Sequence, residues 1–180
     1  MDDLNKYFLS NKKGFTLIEV VMIIVILGII MPGIILYFIT GVKDSAIPQK
    51  RTTAVFLAEA LMEEIKSKQW DENTGVITFD STCSNASAVL GADVGETRIN
   101  FDDIDDFNLV AGVSPPQNSQ GASLGTAYQS FSQTVVVIYV AATDLDTSVV
   151  GSTCYKRISV SITDTTSNET ISLISLMTYY

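Results

Sequence analysis

The sequence contains no histidine. Histidine is the commonest general base and metal ligand near neutral pH, so its absence removes any Ser/His/Asp or Cys/His arrangement. Catalysis would have to rest on carboxylates. Paired acids for glycoside hydrolysis must face each other at roughly 5 to 10 Å across a cleft, whereas the adjacent aspartates of this chain lie in a turn and point apart. No enzyme is expected. Cations are also scarce, with 11 Lys and Arg against 20 Asp and Glu and a formal net charge of -9. General nucleic-acid binding requires a basic face against the phosphates and is excluded on that ground. Cysteine is limited to Cys83 and Cys154, with no CxxC spacing to suggest metal or redox chemistry. They sit far apart among polar residues, and a structural disulfide is the natural reading, with two free buried thiols as the alternative. A bridge would close a loop of about 70 residues and stabilise by about 4 kcal/mol on a chain-entropy account. It also implies an oxidising compartment outside the cytoplasm.

What the chain does have is one long apolar run. Its 180 residues, 47% hydrophobic, allow a single globular core plus appendages, and residues 20–39 carry no charge at all. As a helix this block spans about 30 Å, the thickness of a bilayer's hydrocarbon. It is preceded by a polar stretch holding Lys6, Lys12, Lys13 and Gly14, which runs directly into Phe15-Thr16-Leu17-Ile18-Glu19-Val20-Val21-Met22. A secretory signal peptide would need a shorter apolar region, about 7 to 15 residues, and a small-residue cleavage site after it; no such site precedes Lys43. A plain signal anchor leaves Glu19 unexplained. A carboxylate at the centre of a membrane helix costs roughly 2.5 to 3.5 kcal/mol, less near the interface, so Glu19 is expected to be a pairing residue.

The string from Lys13 to Met22 resembles the class III signal of type IV prepilins, a short basic leader ending in Lys-Gly followed by Phe-Thr-Leu-Ile-Glu at the head of a hydrophobic helix. The resemblance implies that a prepilin peptidase cuts between Gly14 and Phe15 on the cytoplasmic side and N-methylates Phe15. It implies that Glu19 meets the positive amino terminus of a neighbouring subunit, a group with an ordinary pKa of about 7.7 to 8.0. The organisation that follows is a cleaved leader (1–14), a hydrophobic transmembrane and assembly helix (15–42), and an extracytoplasmic domain carrying the second half of that helix (43–180). Other pilin subunits, an inner-membrane platform protein and a cytoplasmic assembly ATPase are the implied partners. The precursor and mature subunit would sit in the inner membrane before joining a surface or periplasmic filament. Flanking charge does not settle orientation, since Lys43, Lys50 and Arg51 oppose the leader lysines; leader processing and the disulfide place the carboxy-terminal domain outside. Within the family the reading is a minor pilin, with a pseudopilin of a type II secretion system as the alternative. From another class, the alternative is an adhesin or ligand-binding module on a pilin stalk, presented by the loop around Pro115 and Pro116.

Gly28, Pro32 and Gly33 interrupt the apolar run, and a proline there removes one backbone hydrogen bond, so a bend or local melting is expected near 28–32. After Gly41 and Pro48 a second helical pattern sets Ala54, Leu57, Ala58, Leu61, Met62 and Ile65 on one stripe, ending near Trp70. The run 58–65 resembles minor pilins of the MSHA type. Turn formers dominate 71–133, leaving short strands such as 76–79 and an exposed loop at 114–121. Three strands are predicted at 134–141, 155–163 and 170–177, the last two a hairpin through 164–168. The expected fold is α+β: a long amino-terminal helix, membrane half plus amphipathic half, packed on a small antiparallel sheet in the pilin manner.

The densest polar group is Asp102, Asp103, Asp105 and Asp106, set between Phe101 and Phe107 with Asp93 and Glu96 just before. Calcium takes about six to eight oxygen ligands, and oxygen-rich loops of this kind bind it; some pseudopilins do so. The spacing lacks the glycine and closing glutamate of an EF-hand. The favoured alternative is an acidic solvated turn anchored by Phe101, Ile104 and Phe107, a segment that also resembles one in minor pilins of the MSHA type. No other cofactor is expected.

Overall fold

The computed structural model describes residues 14–75, 83 and 85–179. The leader lysines, the strand expected at 76–79 and Tyr180 lie outside them. The chain divides into two compact units, Met1–Ile47 and Pro48–Tyr180.

A helix, α1, spans Leu17–Lys66. It starts where Thr16 caps it: the Thr16 Oγ1 accepts the Glu19 backbone N–H at 3.3 Å, satisfying one of the donors that a first turn leaves without a partner. No turn is lost at Gly28 to Gly33, where local melting was expected. Pro32 withdraws a single donor, and the carbonyl against which its ring presses belongs to Gly28, whose backbone gives way most readily. In the first unit the large apolar side chains from Phe15 to Val42 are exposed. The segment is long and apolar enough to cross a membrane by length and composition.

Beyond Pro48 the helix turns amphipathic, burying Ala54, Ala58, Leu61, Met62 and Ile65 and exposing Phe56, Glu59 and Glu63. It stops at Lys66, short of the expected Trp70. The Ser67 N–H is shared between the carbonyls of Glu63 and Glu64, and the Gln69 N–H donates outward to the Asp102 carbonyl at 3.1 Å. Gln69 and Asp103 thereby form an isolated parallel bridge, and this non-helical pairing pulls the chain off the helix axis.

Among the described residues five antiparallel strands follow: β1 (Leu109–Val113), β2 (Phe131–Ala141), β3 (Asp144–Ser148), β4 (Tyr155–Asp164) and β5 (Glu169–Thr178). They lie in the order β1-β2-β4-β5, with β3 paired to β2 off that path. The three predicted strands are β2, β4 and β5, with β4 and β5 joined by the predicted tight turn. That turn closes with the Asn168 N–H on the Asp164 carbonyl at 2.8 Å and places Asn168 at φ 56°, a left-handed conformation asparagine tolerates. β1 and β3 were not anticipated. β3 is wholly exposed and, Leu145 apart, polar, so it carries no alternation to read. β1 contains Gly112, where an added Cβ would stand 3.0 Å from the Thr134 Oγ1, so a glycine lets the two strands approach.

The core forms where the buried stripe of α1 meets Val135 and Val137 of β2 and Ile158, Val160 and Ile162 of β4. Cys83 and Cys154 are bonded, their Cα atoms 5.1 Å apart and 71 residues apart in sequence. The bond ties the region after α1 to the start of β4. Reducing and alkylating the protein should lower its unfolding free energy by about 4 kcal/mol, read as a shift in the urea midpoint; an unmoved midpoint would mean that the bond constrains nothing the fold does not already hold.

Candidate functional site

Gly14, Phe15 and Thr16 precede the helix and are exposed. The Gly14–Phe15 peptide is thus free of regular structure, the condition a peptidase needs to bind a chain in extended form. Glu19 lies in the first turn of α1 and is also exposed. Its carboxylate sits where the helix's unpaired N–H groups favour negative charge, and among the described residues it accepts no hydrogen bond.

A second constellation is buried. β4 alternates inward and outward, and the inward row that contains Ile158, Val160 and Ile162 begins at Lys156 and ends at Asp164. The Lys156 ammonium, fully buried, donates to the Trp70 carbonyl at 2.8 Å, to Asp71 Oδ2 at 3.0 Å and to Asp105 Oδ1 at 2.5 Å. Three protons meet three acceptors. The ammonium also stands 4.3 Å from the Trp70 ring centroid, and ring faces attract cations.

The acids are positioned by their own backbone. Asp103 Oδ1 accepts the N–H groups of Asp105 (2.9 Å) and Asp106 (3.2 Å), and its Oδ2 accepts that of Glu72 at 2.9 Å. Asp106 Oδ2 in turn accepts those of Asp102 (2.9 Å) and Asp103 (3.1 Å). These reciprocal bonds close the turn on itself. Asp71 accepts the N–H groups of Asn73 and Ser87, and the Tyr139 hydroxyl donates to the Ser87 carbonyl.

Burial would raise the Asp71 carboxyl, but the Ser87 N–H and the Lys156 charge outweigh it and hold the group below its ordinary value. Burial pushes Asp105 up in spite of Lys156. Asp103 is driven to about 8, first by burial, then by its hydrogen bond with Glu72 and by the Asp105 charge. The folded protein therefore holds a proton on Asp103 that the unfolded chain, with a carboxyl near 3.9, releases. Where the native state binds more protons, stability falls with rising pH. This contribution is fully present below about pH 4 and is lost as pH rises through about 8. Urea midpoints at pH 5 and pH 8.5 should show the wild type losing stability across that interval and Asp103→Asn losing less; parallel shifts in the two proteins would contradict the assignment.

The four predicted acidic residues do not converge on one point. Asp103 and Asp105 gather with Asp71, while Asp102 and Asp106 gather with Glu96, each group with carboxylate oxygens within 4.8 Å of one another. The first group already holds the Lys156 ammonium. In the second, Asp106 Oδ2 already accepts the N–H groups of Asp102 and Asp103. Phe101, Ile104 and Phe107 are buried anchors, but the turn is not solvated as expected: Asp103, Asp105 and Asp106 are buried with them. Capping of their own backbone and pairing with Lys156 replace the water.

Lys156 and Asp71 were not singled out from sequence. For Lys156 the signal was present, because the period of two in β4 puts it on the face of Ile158. Asp71 carried none, lying just past a helix end whose course depends on the Gln69 bridge. At the opposite end of β4, the buried Asp164 accepts from Lys50 Nζ at 3.0 Å and from Thr166 and Ser167. Burial opposes ionisation there, yet the bonds from Thr166, then Lys50 and Ser167, hold the carboxyl well below the carboxylate range.

Residues 9–31 match a family model described as the prokaryotic N-terminal methylation motif, which is the class III prepilin signal of type IV pilins and pseudopilins. With the long helix packed against a small antiparallel sheet, the architecture is pilin-like. The motif supports a type IV pilin- or pseudopilin-like precursor, implies processing by a prepilin peptidase, and together with the apolar helix fits membrane anchoring. No curated protein and no solved structure matches the chain.

Proposed function

We propose that this chain is the precursor of a structural subunit of a type IV pilus-like filament, in the minor-pilin role. The observation that carries the reading is the amino-terminal segment: an accessible Gly14–Phe15 peptide, a helix capped at Thr16, and an exposed apolar surface holding the single carboxylate of Glu19. A prepilin peptidase removes residues 1–14 and N-methylates Phe15. The apolar half of α1 anchors the subunit in the inner membrane, with the second unit outside, and then enters a bundle of equivalent helices as an ATPase and a platform protein extrude the filament. Apolar surface passes from lipid to protein, so assembly costs little hydrophobic free energy. Glu19, paired with the amino terminus of a neighbour, sets register. The resemblance of 58–65 and 102–106 to minor pilins of the MSHA type supports that role over a major pilin.

Quantitative mass spectrometry of sheared, purified filaments tests this. A peptide beginning at N-methylated Phe15, present in trace relative to another subunit, is the expected result. Abundant mature chain would make it a major pilin. Uncleaved chain confined to the membrane would defeat the filament reading and leave a signal-anchored domain.

A further inference from the structure

Lys156 and Asp105 are held together more closely than an ion pair requires. Both are buried, as is Asp71 beside them. The Lys156 Nζ stands 2.5 Å from Asp105 Oδ1, inside the roughly 2.7–2.9 Å of an ordinary charge-assisted hydrogen bond. The Asp105 carboxyl carbon is one C–O bond further on, so it lies no more than about 3.7 Å from the nitrogen. Reacting atoms in productive geometry stand about 3–3.5 Å apart. Neither partner can turn away. The Trp70 carbonyl and Asp71 Oδ2 hold the other two ammonium protons, and the Asp105 backbone N–H is anchored on Asp103 Oδ1 at 2.9 Å. The Trp70 and Tyr139 rings, at 4.3 and 5.6 Å, flank the ammonium. Burial of this kind keeps out the water that would hydrolyse an amide formed there.

Three acids also surround one ammonium, where a single carboxylate would neutralise it. One oxygen from each of Asp71, Asp103 and Asp105 lies within 4.8 Å of the others. Their protonation states differ in the way that condensation of an amine with a carboxylic acid demands. Asp71, held ionised, is 3.0 Å from the nitrogen and can accept the proton that occupies its lone pair. Burial favours the protonated form of Asp105, which a nucleophile can attack at carbon. Asp103 keeps its proton up to about pH 8, so a proton donor stands next to the oxygen that must leave.

We propose that Lys156 and Asp105 condense to an intramolecular isopeptide bond, an amide from Nζ to the Asp105 carboxyl carbon. Asp71 takes one proton from the ammonium, and the freed nitrogen attacks that carbon, forming a C–N bond. A second nitrogen proton replaces the one that Asp103 gives to the departing hydroxyl. The C–O bond breaks and one water leaves; no oxidant, cofactor or second protein enters the balance. The ion pair described above is the state before condensation, and the stability effects argued from its charges describe that state. The bond ties the turn before β1 to the start of β4, close in sequence to Cys154. It concerns the second unit alone and is independent of the filament reading.

Mass spectrometry of the full chain, denatured and with its disulfide reduced, tests this. The mass should lie about 18 Da, one water, below that of the open chain, and proteolysis should release a branched peptide in which Lys156 carries Asp105. Lys156→Met should restore the full mass. Asp71→Asn, which keeps the shape and removes the base, should lower the condensed fraction of freshly made chain at least about tenfold. Wild-type chain at full mass would overturn the proposal whatever the variants do. The same loss persisting in Lys156→Met would mark a cyclised aspartate and overturn it too, as would a branched peptide that joins Lys156 to Asp71. A condensed fraction unchanged in Asp71→Asn would overturn the chemistry assigned to the site.

Discussion

Lys156→Met should lower the stability of the second unit by about 3–5 kcal/mol, the cost of removing one partner from a buried ion pair. Methionine fills much of the lysine's volume and can rest on Trp70, so the loss is electrostatic in origin. Without the ammonium, Asp71 and Asp105 face each other with no compensating charge, and the Trp70 carbonyl loses a donor. The urea midpoint is the readout. Adding Asp71→Asn and Asp105→Asn to the methionine variant should recover a large part of the loss, since neutral amides leave no unpaired charge. A single-variant loss below about 1 kcal/mol, the range of exposed pairs, would show that water reaches the site and that the cluster is peripheral to the fold.

The second large effect is expected at Glu19. Glu19→Leu should leave membrane insertion and removal of the leader intact, because added apolarity favours the helix in lipid, yet reduce incorporation into filaments by at least about tenfold, an energy near 1.4 kcal/mol per subunit contact. Glu19→Gln separates charge from shape. If pairing with the Phe15 ammonium of a neighbour is the interaction, the glutamine variant assembles as poorly as leucine. The measurement is the ratio of mature subunit in sheared filaments to that in membranes. Wild-type ratios in both variants would remove Glu19 from assembly and leave it as a carboxylate held at the headgroups.

Sequence alone disclosed the features governed by local rules. The apolar run, the stripe from Ala54 to Ile65 and the alternation of Ile158, Val160 and Ile162 each follow from a period. The helix end did not, because it is set by a contact between Gln69 and Asp103 across the chain. The acidic turn was legible in composition but misread in environment. Nothing local tells that Asp103 and Asp106 spend their oxygens on their own backbone or that a lysine on a strand fifty residues later completes the group. Lys156 itself was predictable from the alternation, had the period been followed to the end of the strand where an inward charge breaks the apolar pattern.

Both ends of the packed half of α1 are fastened to the same strand. Lys50, near its start, holds Asp164 at the end of β4, and Trp70 and Asp71, just past its finish, hold Lys156 near the beginning of β4. β4 is hydrogen-bonded to β2 on one side and to β5 on the other. Tension drawn along this stretch of helix would therefore pass into the sheet at two points, parallel to its strands, where the ladders on both sides must shear together instead of opening one bond at a time. A protein extruded and pulled by its helix would be expected to resist unravelling in that direction, and to yield first when either fastening is cut.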